Sequence, residues 1–552
     1  MKILKYSAIA LTSILLTACG GGGTSSAPAT QSAIAAPTPL PAQQASVNLS
    51  GKITYDRVPH NENAGLDYDN TIEMPVRGAV VEALDASGAI IASTLTNLDG
   101  NYRLSLDAND NVRLQIKAQL LSNRRQSWDV QVTDNTQNNN IYALQGSLAS
   151  TGNSAEQIRD LHAPHGWTGQ TYGETRAAAP FAILDSVYSA VTQFAEIDPN
   201  IQFPPLQIHW SVNNSTAIGD RALGQIGNSA YFQDGDSGAI FILGEENRDT
   251  DEYDPHVIIH EWGHYFEHQL SRTDSIGGFH SLNDRLDARV AFSEGWSNAL
   301  SAIITGDPIY KDSLGPLQRT GFSFDVEGDD ITNPGWFNEA SVGAIIYNIF
   351  DSQPDEFDTL SAGLAPIYNV MRSEDYRRSP VFATIFSLAD GLRGDEAISR
   401  FDIDRLLNAH DISGSGPNGN GESNNGAIRT ALPIYKEIST NGVSVETCSI
   451  DDAGIFNRLG NRDFTFLNLE REMNVKISIT KINGRDGRDP DLNIWKNGEL
   501  IHTVNTATAN EENFQGRLLA GSYIVETFDH NNILGLSSRR GDSCYNLTVE
   551  EL

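Results

Sequence analysis

The 552-residue chain has only three cysteines and four methionines. So few thiols exclude the disulfide-dense scaffolds on which very small secreted domains depend. Basic residues are scarce too: 38 Lys and Arg stand against 71 Asp and Glu, a formal charge of −33. That deficit excludes nucleic acid, or an anionic membrane surface, as a partner held by charge. The apolar run at residues 9–16 is too short to anchor across a bilayer, and no later run approaches the required length. A phosphate-binding Gly-Lys-Ser/Thr loop is missing, as is a Gly-x-Ser-x-Gly elbow with triad partners.

What the chain does contain is Asp254-Pro255-His256-Val257-Ile258-Ile259-His260-Glu261-Trp262-Gly263-His264-Tyr265-Phe266. Asp254 suits a helix N-cap and Pro255 the first helical position, where an N–H would have no intrahelical partner. Val257, Ile258, Ile259, Trp262, Tyr265 and Phe266 cover most of the circumference, so the spacing predicts a helix buried in a core. His260 and His264 then project from one face, and both imidazoles can reach one metal ion. Glu261 stands beside the first of them, where a carboxylate can hold and deprotonate the metal's water. His256 and His268 extend the four-residue spacing without a Glu after the first His of either pair, and read as supporting or surface residues.

Lys2 and Lys5 precede the short apolar run, giving residues 1–18 the shape of a signal peptide. Its end, Leu16-Thr17-Ala18-Cys19, resembles the lipobox of bacterial lipoproteins, which implies cleavage before Cys19 and fatty acylation there, palmitate included. Gly20, in place of an Asp, resembles lipoproteins sent on to the outer membrane; the face they occupy stays open. Residues 19–46, rich in Gly, Ser, Thr, Pro and Ala, cannot build a core and act as a flexible tether. With Cys19 acylated, Cys448 and Cys544 are the remaining thiols, and outside the cytoplasm they are expected to pair, worth on the order of 4 kcal/mol.

The remaining length suits three domains. Residues 47–150 read as short strands over 47–55, 79–84, 89–95, 101–106 and 112–118, with a hairpin turn at Asn97-Leu98-Asp99-Gly100. Gly78-Ala79-Val80-Val81-Glu82-Ala83, followed by Ser93-Thr94-Leu95-Thr96 and that turn, resembles the carboxypeptidase regulatory-like domain, an accessory β-sandwich to which no chemistry is assigned. Residues 160–440 are mixed: a helix over 180–194, strands over 206–210 and 239–243, then Glu245, Glu246, Asp249, Asp251, Glu252 and Asp254. A helix N-terminus favours carboxylates, and most of these are expected to be solvated; calcium is the alternative, although no ligand-loop pattern is present. The Gly/Asn/Ser/Pro run at 413–421 reads as a loop. Residues 442–552 return to strands over 464–469, 475–480, 491–495, 499–504, 521–526 and 544–549, and resemble the prepeptidase C-terminal type of β-sandwich. There Asp486, Asp489 and Asp491 read either as a solvated turn or as a second calcium candidate.

A catalytic zinc ion takes three protein ligands and keeps a fourth position for water. Thirty residues past His264 stands Glu294, in Arg289-Val290-Ala291-Phe292-Ser293-Glu294-Gly295-Trp296-Ser297-Asn298-Ala299-Leu300, which reads as a second buried helix. This arrangement resembles the gluzincin metallopeptidases, thermolysin-like and fungalysin-like enzymes among them. The resemblance implies one Zn2+ held by His260, His264 and Glu294, with Glu261 as general base. It also implies an α+β fold, a gluzincin-type metalloprotease domain flanked here by two all-β sandwiches. The metzincin pattern is excluded, because its Gly and third His would fall at Glu267 and Leu270. His280 is the competing third ligand, and Glu294 could instead pair with Arg289.

Two departures qualify the resemblance. Where the thermolysin-like family has an Asp that orients the first zinc His, this chain has Asn298, whose amide oxygen can still accept from an imidazole N–H. The later His that meets the developing oxyanion is missing from Gly335-Trp336-Phe337-Asn338-Glu339-Ala340-Ser341-Val342-Gly343-Ala344-Ile345-Ile346-Tyr347. Tyr347, Tyr310 and His280 are the candidates for that role, and a Tyr on an apolar helix also reads as core. The implied function is a zinc-dependent endopeptidase acting on extracytoplasmic protein or peptide, tied to the membrane through Cys19. The alternative is a noncatalytic binding or adhesion lipoprotein with a degenerate protease domain, which the missing His favours and the intact Glu261 opposes. A third reading keeps the zinc and changes the substrate to a glycoprotein or a peptidoglycan peptide. Oligomeric state is not legible.

Overall fold

The computed structural model describes residues 46–552 apart from 236, 329, 353–359 and 536–537, so the signal peptide, Cys19 and the tether up to residue 45 lie outside the described residues. Alternation shapes the N-terminal strands. Asn101–Asp107 buries Tyr102, Leu104 and Leu106, and Asn111–Asn123 buries Val112, Leu114, Ile116, Ala118 and Leu120, while the residues between them face outward. Ser46–Arg57 is the hub of a five-stranded sheet, antiparallel to Asn101–Asp107 and parallel to Glu156–Ile158 and Leu161–Ala163. A ten-stranded sheet runs in the order Ala230–Asp234, Ser237–Ile242, Leu206–Trp210, Ser127–Asp134, Asn111–Asn123, Ala79–Leu84, Ile90–Leu95, with three short strands beside it.

The second sheet corrects the expected division between residues 47–150 and 160–440. Leu206–Trp210 pairs in parallel with Ser127–Asp134 on one side and with Ser237–Ile242 on the other, so both segments share one sheet and one core. A parallel partner can come from anywhere in the chain, and a buried apolar strand reads the same whether it starts a new sheet or extends an old one. The described residues are therefore α+β, with the N-terminal strands built into the central block instead of standing apart as a separate sandwich.

Four helices matter for the site: α1 (Ala179–Ile197), α2 (Pro255–Leu270), α3 (Ala288–Thr305) and α4 (Glu339–Phe350). Phe194 of α1 stacks on Phe266 of α2 with centroids 4.7 Å apart and meets Trp262 at 5.3 Å. Ile258, Ile259 and Phe266 are fully buried, each worth about 1.5–3 kcal/mol of transfer free energy. Asp254 does occupy the N-cap position of α2, but its carboxylate makes no capping bond. It accepts from His60 Nε2 at 2.8 Å and from the Ser313 N–H and O–H at 2.8 Å each, tying the helix start to neighbouring segments.

The C-terminal strands form two sheets around a core that includes Leu467, Ile477, Leu492, Val525 and Leu547. Cys448 on Val445–Ser449 and Cys544 on Ser543–Glu551 are directly opposite in register and joined by a disulfide, Cα–Cα 4.1 Å.

Candidate functional site

Two glycines let the site helices close on one another. A Cβ at Gly263, beside His264, would lie 2.8 Å from Ser297 Oγ, and Trp296 Nε1 donates to the Gly263 carbonyl at 3.2 Å. A Cβ at Gly295, beside Glu294, would lie 2.6 Å from Val342 and 2.8 Å from the Glu339 carbonyl. Any larger residue at either position would push α3 away from α2 or α4, and with it the side chain next door.

On the facing sides of α2 and α3, His260 Nε2 and His264 Nε2 lie 3.2 and 3.3 Å from Glu294 Oε2 and 3.2 Å from each other. Their outer nitrogens are engaged. His260 Nδ1 donates to Asn298 Oδ1 at 2.9 Å, and His264 Nδ1 faces Ser293 Oγ and Ser297 Oγ at 3.2 Å each. Ser293 in turn donates to Glu267 Oε2 at 2.6 Å. These bonds keep each Nδ1 protonated in the neutral ring, so each Nε2 lone pair points to the common centre. Glu294 Oε2 is buried there without a well-formed hydrogen bond. Arg289 turns away from Glu294, to Asp287 and Glu526.

Glu261 is buried at 7 % exposure, and its Oε2 accepts the Tyr231 backbone N–H at 2.6 Å. Tyr231 lies on the edge strand Ala230–Asp234, whose other edge pairs with Ser237–Ile242. His280 also reaches the centre: its Nε2 is 3.3 Å from Glu294 Oε2, while its Nδ1 donates to Glu339 Oε2 at 2.6 Å. His280 does not join the compact group of His260, His264 and Glu294, whose donor atoms all lie within 4.8 Å of one another. Two adjoining hollows of about 490 and 410 Å³ meet at His260, Glu261 and His280. Tyr310 lines the second, its ring 6.3 Å from that of His260. Tyr347 lines neither; it packs beside Phe350 on α4, with its pKa pushed up to about 12 by burial and by Glu327 and Asp351.

The electrostatics favour positive charge at the centre. Burial works against a charge on His264, but Glu294 outweighs it and lifts the pKa to about 9. Burial likewise opposes His280, and Glu294 with Glu339 carries it to about 9. Burial alone would raise Glu294, yet His264 and His280 hold it well below the usual carboxylate range. Glu261 is raised by burial, an effect moderated by His260 and His264. His256, two turns before His264, is a core histidine: burial lowers it to about 4, and Nε2 lies 3.0 Å from the Asp307 carbonyl.

Residues 203–385 match the Mycolysin C-terminal domain family. The match spans about a third of the chain, takes in α2, α3 and α4 whole, and relates that stretch to metallopeptidases at family level. Among solved structures, the chain is similar to the precursor of protealysin, a metalloproteinase from Serratia proteamaculans, with 10% identity over 51% of this chain and 85% of that one and a TM-score of 0.30. It is similar to the pre-peptidase C-terminal domain of a Bacillus anthracis collagenase, with 15% identity over 21% of this chain and 94% of that one and a TM-score of 0.16. A third likeness is to Aeromonas hydrophila PliG, a periplasmic lysozyme inhibitor, with 13% identity over 21% of this chain and 97% of that one and a TM-score of 0.14. No curated protein matches the chain.

The acidic run before α2 departs from the expectation that most of it is solvated. Asp251, Glu252 and Asp254 are buried, Glu252 against Arg176 at 3.1 Å, and the run itself supplies Asp249–Thr250, a short strand paired between Gly244–Glu245 and Ile309–Leu314, which forms a hairpin with Thr320–Asp325. Asp249, Asp251 and Asp312 bring carboxylate oxygens within 4.8 Å of one another, and one oxygen of each is buried and unpartnered. The Asp486, Asp489 and Asp491 trio forms no such group: Asp486 is fully exposed on Lys481, and Asp491 meets His530. Sequence reasoning missed the Tyr231 N–H and Glu339. A backbone donor leaves no side-chain signal, and a lone Glu at a helix start reads as dipole compensation.

Proposed function

We propose that this chain is a zinc-dependent endopeptidase that hydrolyses peptide bonds of extracytoplasmic proteins. The observation that supports it above all others is the convergence of His260 Nε2, His264 Nε2 and Glu294 Oε2 on one buried point at the floor of an open cleft, with Glu261 alongside. The donor set fits zinc: two imidazoles turned inward by their Nδ1 bonds, and one carboxylate oxygen with no other partner. When bound, zinc would supply Lewis acidity that activates water and polarises a carbonyl. Glu261, oriented by the Tyr231 N–H, accepts a proton from the attacking water and passes it to the leaving amine as the C–N bond breaks. His280, its ring fixed by Glu339, is the donor assigned to the negative charge that develops on the carbonyl oxygen. In this proposal the protein is exported and held at the outer membrane through an acylated Cys19.

Purified protein should cleave an unstructured protein substrate, and a chelator should stop it. Glu261→Gln should retain zinc and lose about 10²–10⁴-fold in turnover. Wild type and variant equally inert across a broad peptide library would favour the noncatalytic binding lipoprotein. Cys19→Ser should move the protein from the membrane to the soluble fraction.

A further inference from the structure

The loop that carries His280 is held by side chains that lie 180 residues further along the chain. Asn457 Nδ2 donates to the carbonyls of Gly277 at 2.9 Å and Phe279 at 3.1 Å. Arg458 adds Nη1 to the Phe279 carbonyl at 2.7 Å and Nη2 to Asp284 Oδ2 at 2.8 Å. Both residues sit on the connection between Val445–Ser449 in one sheet of the C-terminal sandwich and Arg462–Leu469 in the other.

That connection is itself tied down. Asn461 Nδ2 donates to the carbonyls of Ile450 at 2.9 Å and Gly454 at 2.8 Å, its Oδ1 accepts the Arg458 N–H at 3.1 Å, and the Phe456 N–H reaches the Asn532 carbonyl at 3.1 Å. Its backbone also grips the entry to α3: the Asp287 N–H donates to the Asn457 carbonyl at 2.8 Å, and the Leu459 N–H to the Arg285 carbonyl at 2.9 Å. The held loop has little apolar anchorage beside His280, since Phe279 is 79% exposed. Hydrogen bonds from Asn457, which is 1% exposed, locate it instead. His280 thus has two independent holds, Glu339 on the ring and the sandwich connection on the backbone.

We propose that Asn457 and Arg458 are positioning residues, through which the C-terminal sandwich sets where His280 stands over the reacting carbonyl. The proposal rests on the zinc peptidase reading. In it the sandwich is a working part of the cleft: it governs turnover and leaves zinc ligation untouched. A simple anchoring role, by contrast, would show only as lost stability.

The test compares the zinc-loaded full chain with Asn457→Ala, Arg458→Ala, Arg458→Lys and Glu261→Gln. Amide hydrogen exchange over residues 275–282, zinc content, melting temperature, kcat and KM are measured on each. In Asn457→Ala, exchange in the loop should rise about tenfold. Its kcat should fall by about 10²-fold with KM and zinc content unchanged, because a misplaced group costs turnover before it costs binding. Arg458→Ala should show a smaller fall, and Arg458→Lys should restore most of it by keeping a donor for the Phe279 carbonyl. Unchanged loop exchange in both alanine variants overturns the proposal, and so does wild-type kcat or a loss of activity that tracks loss of zinc. If Asn457→Ala fails to fold, Arg458→Ala decides, its side chain being less buried. Inactivity of the wild type itself would sink the peptidase reading, and the exchange measurement would still judge the anchoring.

Discussion

Glu294 and Glu526 are two buried carboxylates, 5% and 1% exposed, each held below its ordinary pKa by positive neighbours. Their partners differ in kind. Glu526 accepts from Arg289 Nη2 at 2.9 Å, Trp495 Nε1 at 2.7 Å and Asn493 Nδ2 at 3.0 Å, with Arg462 Nε at 3.2 Å. Two of these are guanidiniums, which cannot give up their charge. Among the described residues the ion-pair partners of Glu294 are imidazoles, whose nitrogens can carry a proton or offer a lone pair. Burial and a low pKa therefore do not mark a site by themselves. What separates a structural ion pair from a centre open to a cation is whether the partners are permanently charged.

That difference predicts opposite results for one substitution. Glu294→Gln should cost at least about 10²-fold in zinc affinity, read by competition with a chelator, and should destabilise the metal-free protein less than the matching change at Glu526, because its imidazole partners can shed their protons. Glu526→Gln should keep zinc but lose about 3–5 kcal/mol in denaturant unfolding, since the buried Arg289 is left with one carboxylate in place of two. Similar destabilisation by both variants would erase the distinction.

Acid sharpens it further. Burial would raise the Glu526 pKa, but Arg289 and Arg462 bring it to about 2, below its unfolded value near 4.3. The folded protein therefore binds fewer protons in that interval, and stability rises with pH across it. The contribution, on the order of 3 kcal/mol, is complete above about pH 4.5 and is lost as pH falls toward 2. Melting temperatures across that window should drop for the wild type and flatten for Glu526→Gln; identical slopes would remove Glu526 from the account.

The smallest effect belongs to a third group, Asp249, Asp251 and Asp312, whose carboxylates form no ion pair among the described residues. Burial and then Asp249 hold the pKa of Asp251 well above the ordinary range, and burial raises Asp249 to about 6. Here the folded values lie above the unfolded ones, so stability is lost as pH rises above about 4, a loss complete for Asp249 once pH passes about 6 and continuing higher for Asp251. In chelator at neutral pH, Asp251→Asn should therefore stabilise by about 1–3 kcal/mol. Calcium, the alternative that the acidic run raises, prefers hard oxygen ligands, and bound here it would raise the melting temperature of the wild type and not of the variant. A stabilising response to calcium in both would place the ion elsewhere.

Much of the secondary structure was legible because it is local. Tyr102, Leu104 and Leu106 announce a strand by alternation, and His260 and His264 share a face because any helix puts residues four apart together. The edge strand Ala230–Asp234 and the hairpin at Ile309–Leu314 were not read, since their short, mixed sequences carry no clear period. Asp254 shows the intermediate case: its N-cap position was readable, whereas its bonds to His60 and Ser313 depend on segments far away in the chain.

By itself the sequence determined the local terms: the helix that pairs two imidazoles with Glu261, and a second helix bearing Glu294. The tertiary structure alone decided that His280 stands against Glu294, that the Tyr231 N–H orients Glu261, and that Asn457 reaches the His280 loop. The Cys448–Cys544 disulfide was expected from the sequence, and the fold added only their directly opposed register on two paired strands. Each of these joins segments whose separation along the chain carries no periodic signal. Such contacts are selected by the packing of a whole core, where many apolar side chains must be buried at once, and no window of sequence contains that condition.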